Sequence, residues 1–287
     1  MFADAVELLA LMLMVGWLVL TFVVRGRGRD ARIALVLAIG VAVGLFGMQA
    51  VLSDAIDDAG GGATRFDTVV AAFAVGHRSP VLTVVAETLN VAGSLVGLSV
   101  LAAVAAAALL LRHRRVEAAL AVAAPAAAGL LGDGSKLGYD RARPPVAGHL
   151  ITVTDSSLPS GHTLDATIVL GVLAVVAVSL VGSRLARTAV VATACAGIAV
   201  AGAARVYLGV HWATDVVAGW LLGGAWVAFS AAVLLLLGRP RGPRAAGARG
   251  ERRGSARDRR PAVVERLPLP HPRPGTGADD RIGRLTS

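Results

Sequence analysis

Cys195 is the single cysteine among 287 residues, which rules out an internal disulfide framework. The same scarcity excludes cysteine-based zinc sites and iron–sulfur clusters. Charge is scarce as well. Only 16% of residues are Asp, Glu, Lys or Arg, against about a quarter in soluble domains. Lysine is almost missing: Lys136 is the only one, and every other basic residue is arginine. Aromatic residues make up 4%, and none interleaves with the C-terminal arginines as a nucleic-acid stacking platform would require. What the chain has in excess is apolar surface, with 55% hydrophobic residues and a mean hydropathy of +0.69. Disorder throughout would leave that surface wet. An all-α, polytopic transmembrane helical bundle accommodates it.

The net charge of +9 is concentrated at one end. Residues 238–287 hold 13 Arg against 5 Asp or Glu, and 7 of the 12 prolines. This tail reads as a disordered basic segment beside anionic lipid headgroups, with no nucleic-acid partner expected. The rest of the chain is nearly neutral.

Apolar runs near the roughly 20 residues needed to cross a bilayer fall at about 6–24, 33–52, 93–111, 116–132, 163–181, 188–207 and 215–237. Residues 66–93 are apolar but interrupted by His77, Arg78, Pro80, Glu87 and Asn90. They read as interfacial or re-entrant helices rather than a clean span. Three units result: an extra N-terminal span with its basic loop (1–32), a six-span core (33–237) and the tail (238–287). Arginines follow spans one, three, five and seven (Arg25 to Arg32, Arg112 to Arg115, Arg184 and Arg187, then the tail). The positive-inside rule makes that side cytoplasmic. The N-terminus is then outside and the C-terminus cytoplasmic, in a plasma-membrane protein. A cleaved signal peptide is disfavoured, because its positive charge would precede the apolar run.

The two remaining outer connections, 133–162 and 208–214, hold most of the unusual polar residues. They also place Lys136, Arg141, Arg143 and Arg205 at or near the outer face, against the charge rule. Cations there need a functional reason. Lys136 and Arg143-Pro144 form the first cluster. Lysine is a compact point charge and arginine a planar fork, a pair suited to a multiply charged oxyanion. Snorkelling at a helix end would also place them there. Pro159-Ser160-Gly161-His162 forms the second cluster and opens a span. A helix N-terminus offers free N–H groups to an anion, although the tetrapeptide by itself also fits a capped turn. Arg205, His211 and Asp215 form the third. His211 and Asp215 stand at i and i+4, on one helical face. A carboxylate on one ring nitrogen sets the tautomer and leaves the other nitrogen to attack, while a plain His–Asp cap is the structural alternative. Combined on one face, the clusters supply cations, a helix N-terminus, two histidines and a carboxylate. That set suits phosphoryl transfer through a covalent histidine intermediate.

These motifs resemble those of the type 2 phosphatidic acid phosphatase (PAP2) superfamily, in its integral-membrane lipid phosphatase branch. The family pattern K-x6-R-P, P-S-G-H and S-R-x5-H-x3-D is matched by Lys136 to Pro144, Pro159 to His162, and Arg205 to His211 to Asp215. Ala204 stands where the family usually has serine, which removes one hydroxyl from the expected phosphate cradle. The resemblance implies His211 as nucleophile, Asp215 as its orienting carboxylate and His162 as the acid for the leaving oxygen. It assigns Lys136, Arg143, Arg205, Ser160 and the Gly161 backbone to the phosphoryl oxygens, with no metal and no cofactor. The implied enzyme is a hydrolase of lipid phosphate or diphosphate monoesters at the outer membrane face. Polyprenyl diphosphate (the undecaprenyl type), phosphatidate and phosphatidylglycerophosphate all fit. A lipid-linked phosphotransferase using the same histidine, and a non-enzymatic transporter or scaffold, are the alternatives.

Other residues invite attention. Asp133, Asp140 and Arg141 flank the first motif and could brace it, and Asp165 could pair with a cation. Gly219 and Gly223 form a G-x-x-x-G pair read as packing within the bundle.

Overall fold

The computed structural model describes residues 29–237. The first apolar run, at 6–24, and the basic tail therefore lie outside the described residues. Among the described residues the secondary structure is entirely helical: α1 (Arg29–Asp58), α2 (Arg65–Gly76), α3 (Pro80–Ala92), α4 (Leu95–Leu111), α5 (Arg115–Lys136), α6 (Gly161–Leu180), α7 (Arg184–Tyr207) and α8 (Ala213–Leu237), with one 3-10 turn at Val146–Gly148.

Local chemistry sets the helix starts. Thr64 and Asp67 close a capping box on α2, with the Thr64 side chain accepting from the Asp67 amide and the Asp67 carboxylate accepting from the Thr64 amide. Ser79 caps α3, and Pro80 occupies its first turn, where a missing N–H costs nothing. Ser94 and Ser183 cap α4 and α7 in the same way.

Helices α1, α5, α6, α7 and α8 are each long and apolar enough to cross a bilayer. Helices α3 and α4 meet at Gly93 and Ser94 with a bend of 57°, and as one broken span they make a sixth. The chain is therefore a multi-pass membrane bundle, the fold class its hydropathy implies. The run at 93–111 is the second limb of that bent pair. The interrupted stretch before it forms α2 and α3, because Pro80 starts a new helix and Gly93-Ser94 ends it.

Helix α6 lies at the centre, packed against α4, α5, α7 and α8, while α1 packs along α8. Leu164, Ile168, Val169 and Val172 of α6 are fully buried and join Leu98, Ala102, Ala124, Ala128 and Leu222 in the main core. Along α5 the buried positions are nearly all alanine (Ala118, Ala121, Ala124, Ala127 and Ala128). Small side chains let helix backbones approach closely where lipid gives no hydrophobic push between helices. Large apolar residues such as Val100, Val104, Leu111 and Leu130 point outward, as expected of helices solvated by acyl chains.

Gly219 and Gly223 sit on the α6–α8 contact. A Cβ at Gly223 would lie 2.6 Å from the Thr167 Cβ, and one at Gly219 would lie 3.0 Å from the Ser160 carbonyl oxygen. The G-x-x-x-G pair thus packs inside the bundle, and this contact presses the start of α6 against the start of α8. Gly223→Val should destabilise the protein by about 1–3 kcal/mol, read as a lowered thermal midpoint in detergent. Gly134→Ala, with no atom within 4 Å of its Cβ, should leave the midpoint unchanged.

Candidate functional site

Helix ends deliver the polar residues to one end of the bundle. Lys136 lies in the last turn of α5. Gly161 and His162 begin α6, and a Cβ at Gly161 would be 3.9 Å from the Lys136 Nζ. Arg205 lies in the last turn of α7, and Asp215 in the first turn of α8. Between α7 and α8, Gly209 adopts φ +77. Its amide donates to the Val206 carbonyl, and the Val210 amide to that of Arg205, so α7 ends in a left-handed turn. A Cβ at Gly209 would come within 2.3 Å of the Gly148 oxygen. The sharp turn brings His211 back over the α7 end.

His211 is 2% exposed, and its two ring nitrogens have unlike partners. Nδ1 lies 2.9 Å from the Ser157 carbonyl oxygen and 3.5 Å from the Asp215 Oδ2. A carbonyl only accepts, so Nδ1 carries the proton. Nε2 lies 3.1 Å from the Arg143 NH1, which only donates, so Nε2 carries the lone pair. Both neighbours require the same tautomer. Burial pushes the imidazole pKa down to about 4, with Asp215 pulling it up and Arg143 pushing it further down. The ring is therefore neutral near pH 7, with Nε2 as its basic atom.

Asp215 is fully buried and fully engaged. Its Oδ1 accepts from Arg141 NH1 at 2.5 Å. Its Oδ2 accepts from the Ser157 hydroxyl at 2.5 Å and the Trp212 amide at 2.8 Å. Arg141 in turn donates through NH2 to Asp67 Oδ2 at 2.8 Å and to the Gly62 carbonyl at 3.0 Å. Asp67 also accepts from the Thr214 amide and hydroxyl, each at 2.9 Å. Despite burial, which opposes it, the hydrogen bonds from Thr214 and Thr64 hold the Asp67 carboxyl below the usual carboxylate range. A guanidinium thus lies between two buried carboxylates from α2 and α8.

Arg143 donates through NH1 to the Val210 carbonyl at 2.5 Å as well as to His211, and through Nε to the Asp155 carbonyl at 2.7 Å. The Asp155 carboxylate accepts from both Arg143 and Lys136. Ser160 is fully buried. Its amide donates to the Asp215 carbonyl at 3.0 Å, and its hydroxyl accepts from Thr163 at 3.0 Å rather than capping α6. Arg205 is buried, donates to the Asn90 Oδ1, and has no partner for its Nε. The Asn90 backbone carbonyl also faces His162. No hydrogen bond joins His162 to His211, and none joins Asp165 to the motif cations.

Arg141 is the brace its position beside the first motif allows. Asp67, Ser157 and Asp155 were not among the sequence candidates, and Asn90, which the sequence suggests only as an interfacial residue or a gate for lipid entry, instead holds Arg205. Ser157 lies three residues before Ser160 and Asp155 two before that, so both were near a visible motif. Asp67 carried a helix-start signal, but nothing in the sequence linked it to a partner 74 residues away. Among the described residues no three His, Cys, Asp or Glu side chains are grouped to hold a metal ion.

Beside this cluster an apolar cavity of about 580 Å³ opens between α2, α3, α7 and α8, lined by residues including Phe66, Phe73, Leu82, Leu89, Tyr207 and Trp220. Ala204 and Ala213 also line it, so it adjoins both Arg205 and the His211 turn.

The arrangement has counterparts among known proteins. The family model described as the PAP2 superfamily matches residues 115–238. None of the curated proteins matches the chain. Among solved structures, the chain resembles the crystal structure of a transmembrane PAP2-type phosphatidylglycerolphosphate phosphatase from Bacillus subtilis. The two share 26% sequence identity with a TM-score of 0.59, over 70% of this chain and 98% of that one.

The buried Asp67–Arg141–Asp215 triad generates a stability prediction. Removing one partner of a buried ion pair typically costs about 3–5 kcal/mol. Arg141→Met should lower stability by that order, measured by thermal unfolding in detergent, with Arg141→Lys recovering part of the loss.

Proposed function

We propose that the chain, whose residues 115–238 match the PAP2-superfamily model within a multi-pass membrane bundle, is a metal-independent lipid phosphatase acting through a phosphohistidine. The observation that carries this reading is the doubly specified tautomer of His211, whose Nε2 lone pair meets the Arg143 guanidinium.

His211 Nε2 attacks phosphorus as the bond to the leaving oxygen breaks. His162 gives its proton to that oxygen, and the dephosphorylated lipid departs. Water then attacks the phosphohistidine, His162 takes up the water proton, and the N–P bond breaks to release inorganic phosphate. Asp215, with Ser157, keeps Nδ1 protonated and stabilises the charge that grows on the ring. Lys136, Arg143, Arg205, Ser160 and the Gly161 amide at the start of α6 neutralise the equatorial oxygens. Fixed cations supply what a metal would otherwise supply.

The substrate is a lipid with a terminal phosphate or diphosphate, of the phosphatidylglycerophosphate, phosphatidate or polyprenyl diphosphate type. The apolar cavity beside Arg205 suits the first part of its chain. Arginine placement along the sequence supports an outward-facing site in the plasma membrane, with the C-terminus cytoplasmic.

Purified protein should release inorganic phosphate from at least one lipid phosphate in a mixed-micelle panel. His211→Ala should abolish release, and residual turnover above background would reject the nucleophile. His162→Ala should slow it by about 10²–10⁴, the range of general acid catalysis. Vanadate should inhibit and EDTA should not; loss of activity with chelator would overturn the metal-free account.

A further inference from the structure

Asp155 has no part in the reaction just described, yet it lies on the groups assigned to the substrate. Its Oδ1 accepts from Arg143 NH2 at 2.6 Å, and its Oδ2 accepts from Lys136 Nζ. Its backbone carbonyl accepts from Arg143 Nε. Two oxygens on one carbon thus span the two cations of the K-x6-R-P motif, much as two oxygens of a phosphoryl group would. The carboxylate side chain is 51% exposed, whereas Arg143 is 10% and Lys136 21% exposed. It therefore reaches the cations from the open side, the side from which a headgroup arrives. Lys136 and Arg143 outweigh the opposing effect of burial and hold the Asp155 carboxyl down to about 2, so it stays anionic at every working pH.

We infer that Asp155 is a specificity-determining residue, a tethered carboxylate that a headgroup must displace from Lys136 and Arg143. The inference rests on the lipid-phosphatase reading and adds the rule by which that site selects among lipids. Asp155 carries one negative charge. A phosphodiester headgroup also carries one, so exchanging it for Asp155 gains no charge, and the tether gives Asp155 the higher effective concentration. A phosphomonoester carries about −1.5 to −2 near pH 7, and a terminal diphosphate more, so both gain on exchange. Phosphodiester lipids form most of a phospholipid bilayer around such an enzyme. A carboxylate of matched charge keeps them out of the cradle while admitting the scarcer monoesters, a selection made by competition rather than by pocket shape.

Full-length Asp155→Asn and Asp155→Glu proteins, purified in detergent beside wild type, test this with two readouts. The first is the dissociation constant for inorganic phosphate by calorimetry, which needs no turnover. The second is the KM for phosphatidate in mixed micelles, with and without added phosphatidylglycerol as the phosphodiester competitor. Asp155→Asn should tighten phosphate binding and lower KM by about two- to fivefold, the scale of half-exposed ion pairs. It should also become sensitive to phosphatidylglycerol, while Asp155→Glu resists it as wild type does. Unchanged or weaker phosphate binding by Asp155→Asn overturns the inference. Tighter binding with resistance to phosphatidylglycerol intact overturns the selectivity role. If wild type hydrolyses no lipid phosphate, the phosphatase reading fails, and with it the selection rule; the calorimetric arm then still decides whether Asp155 competes with phosphate.

Discussion

A guanidinium held between two carboxylates is the constraint on which this site depends. Arg141 joins Asp67 of α2 to Asp215 of α8, and all three are buried. Burying a lone charge is far costlier than burying a compensated set. Asp215 can therefore stay buried beside His211 because Arg141, Ser157 and the Trp212 amide share its charge. The same triad fixes α2, which is too short to cross the bilayer, against the end of the bundle that carries His211. Asp67 is also the third helical residue of the α2 capping box, accepting from the Thr64 N-cap amide, so one side chain both helps start that helix and docks it.

From that anchor the electrostatics proceed outward in layers. Asp215 and Ser157 set the tautomer of His211. His211 presents Nε2 to Arg143, Arg143 and Lys136 share Asp155, and Asp155 meets the open side. Carboxylates and cations face one another at both ends of the series, Asp67 and Asp215 on Arg141 at the buried end and Asp155 on Arg143 and Lys136 at the exposed one, with the neutral His211 ring between them. Pairing of Arg141 with Asp67 and Asp215 offsets the cost of burying these charges in a low-dielectric setting.

Much of the fold was readable from hydropathy. Runs of apolar residues marked the long helices to within a few positions, and Gly219 with Gly223 marked a close helix contact. The bent pair was harder to read. Residues 80–111 contain an interrupted half and a clean half, and only the geometry at Gly93-Ser94 reveals that they form two helices meeting at 57°. In the site, the three motifs were visible because their residues recur at short spacings on helix ends. Asp155 and Ser157 were not, since each is a common polar residue whose importance lies in what it touches.

The sequence by itself determined a membrane-spanning helical protein and marked Lys136, Arg143, His162, Arg205, His211 and Asp215 as one candidate set, because apolar run length and motif spacing are properties of the linear chain. Only the tertiary structure decided which charges compensate one another. Asp67 with Arg141, Asp155 with Lys136 and Arg143, and Asn90 with Arg205 are pairings across separate segments. Electrostatic interaction depends on distance through space, and distance along the chain carries almost no information about it once the helices have packed.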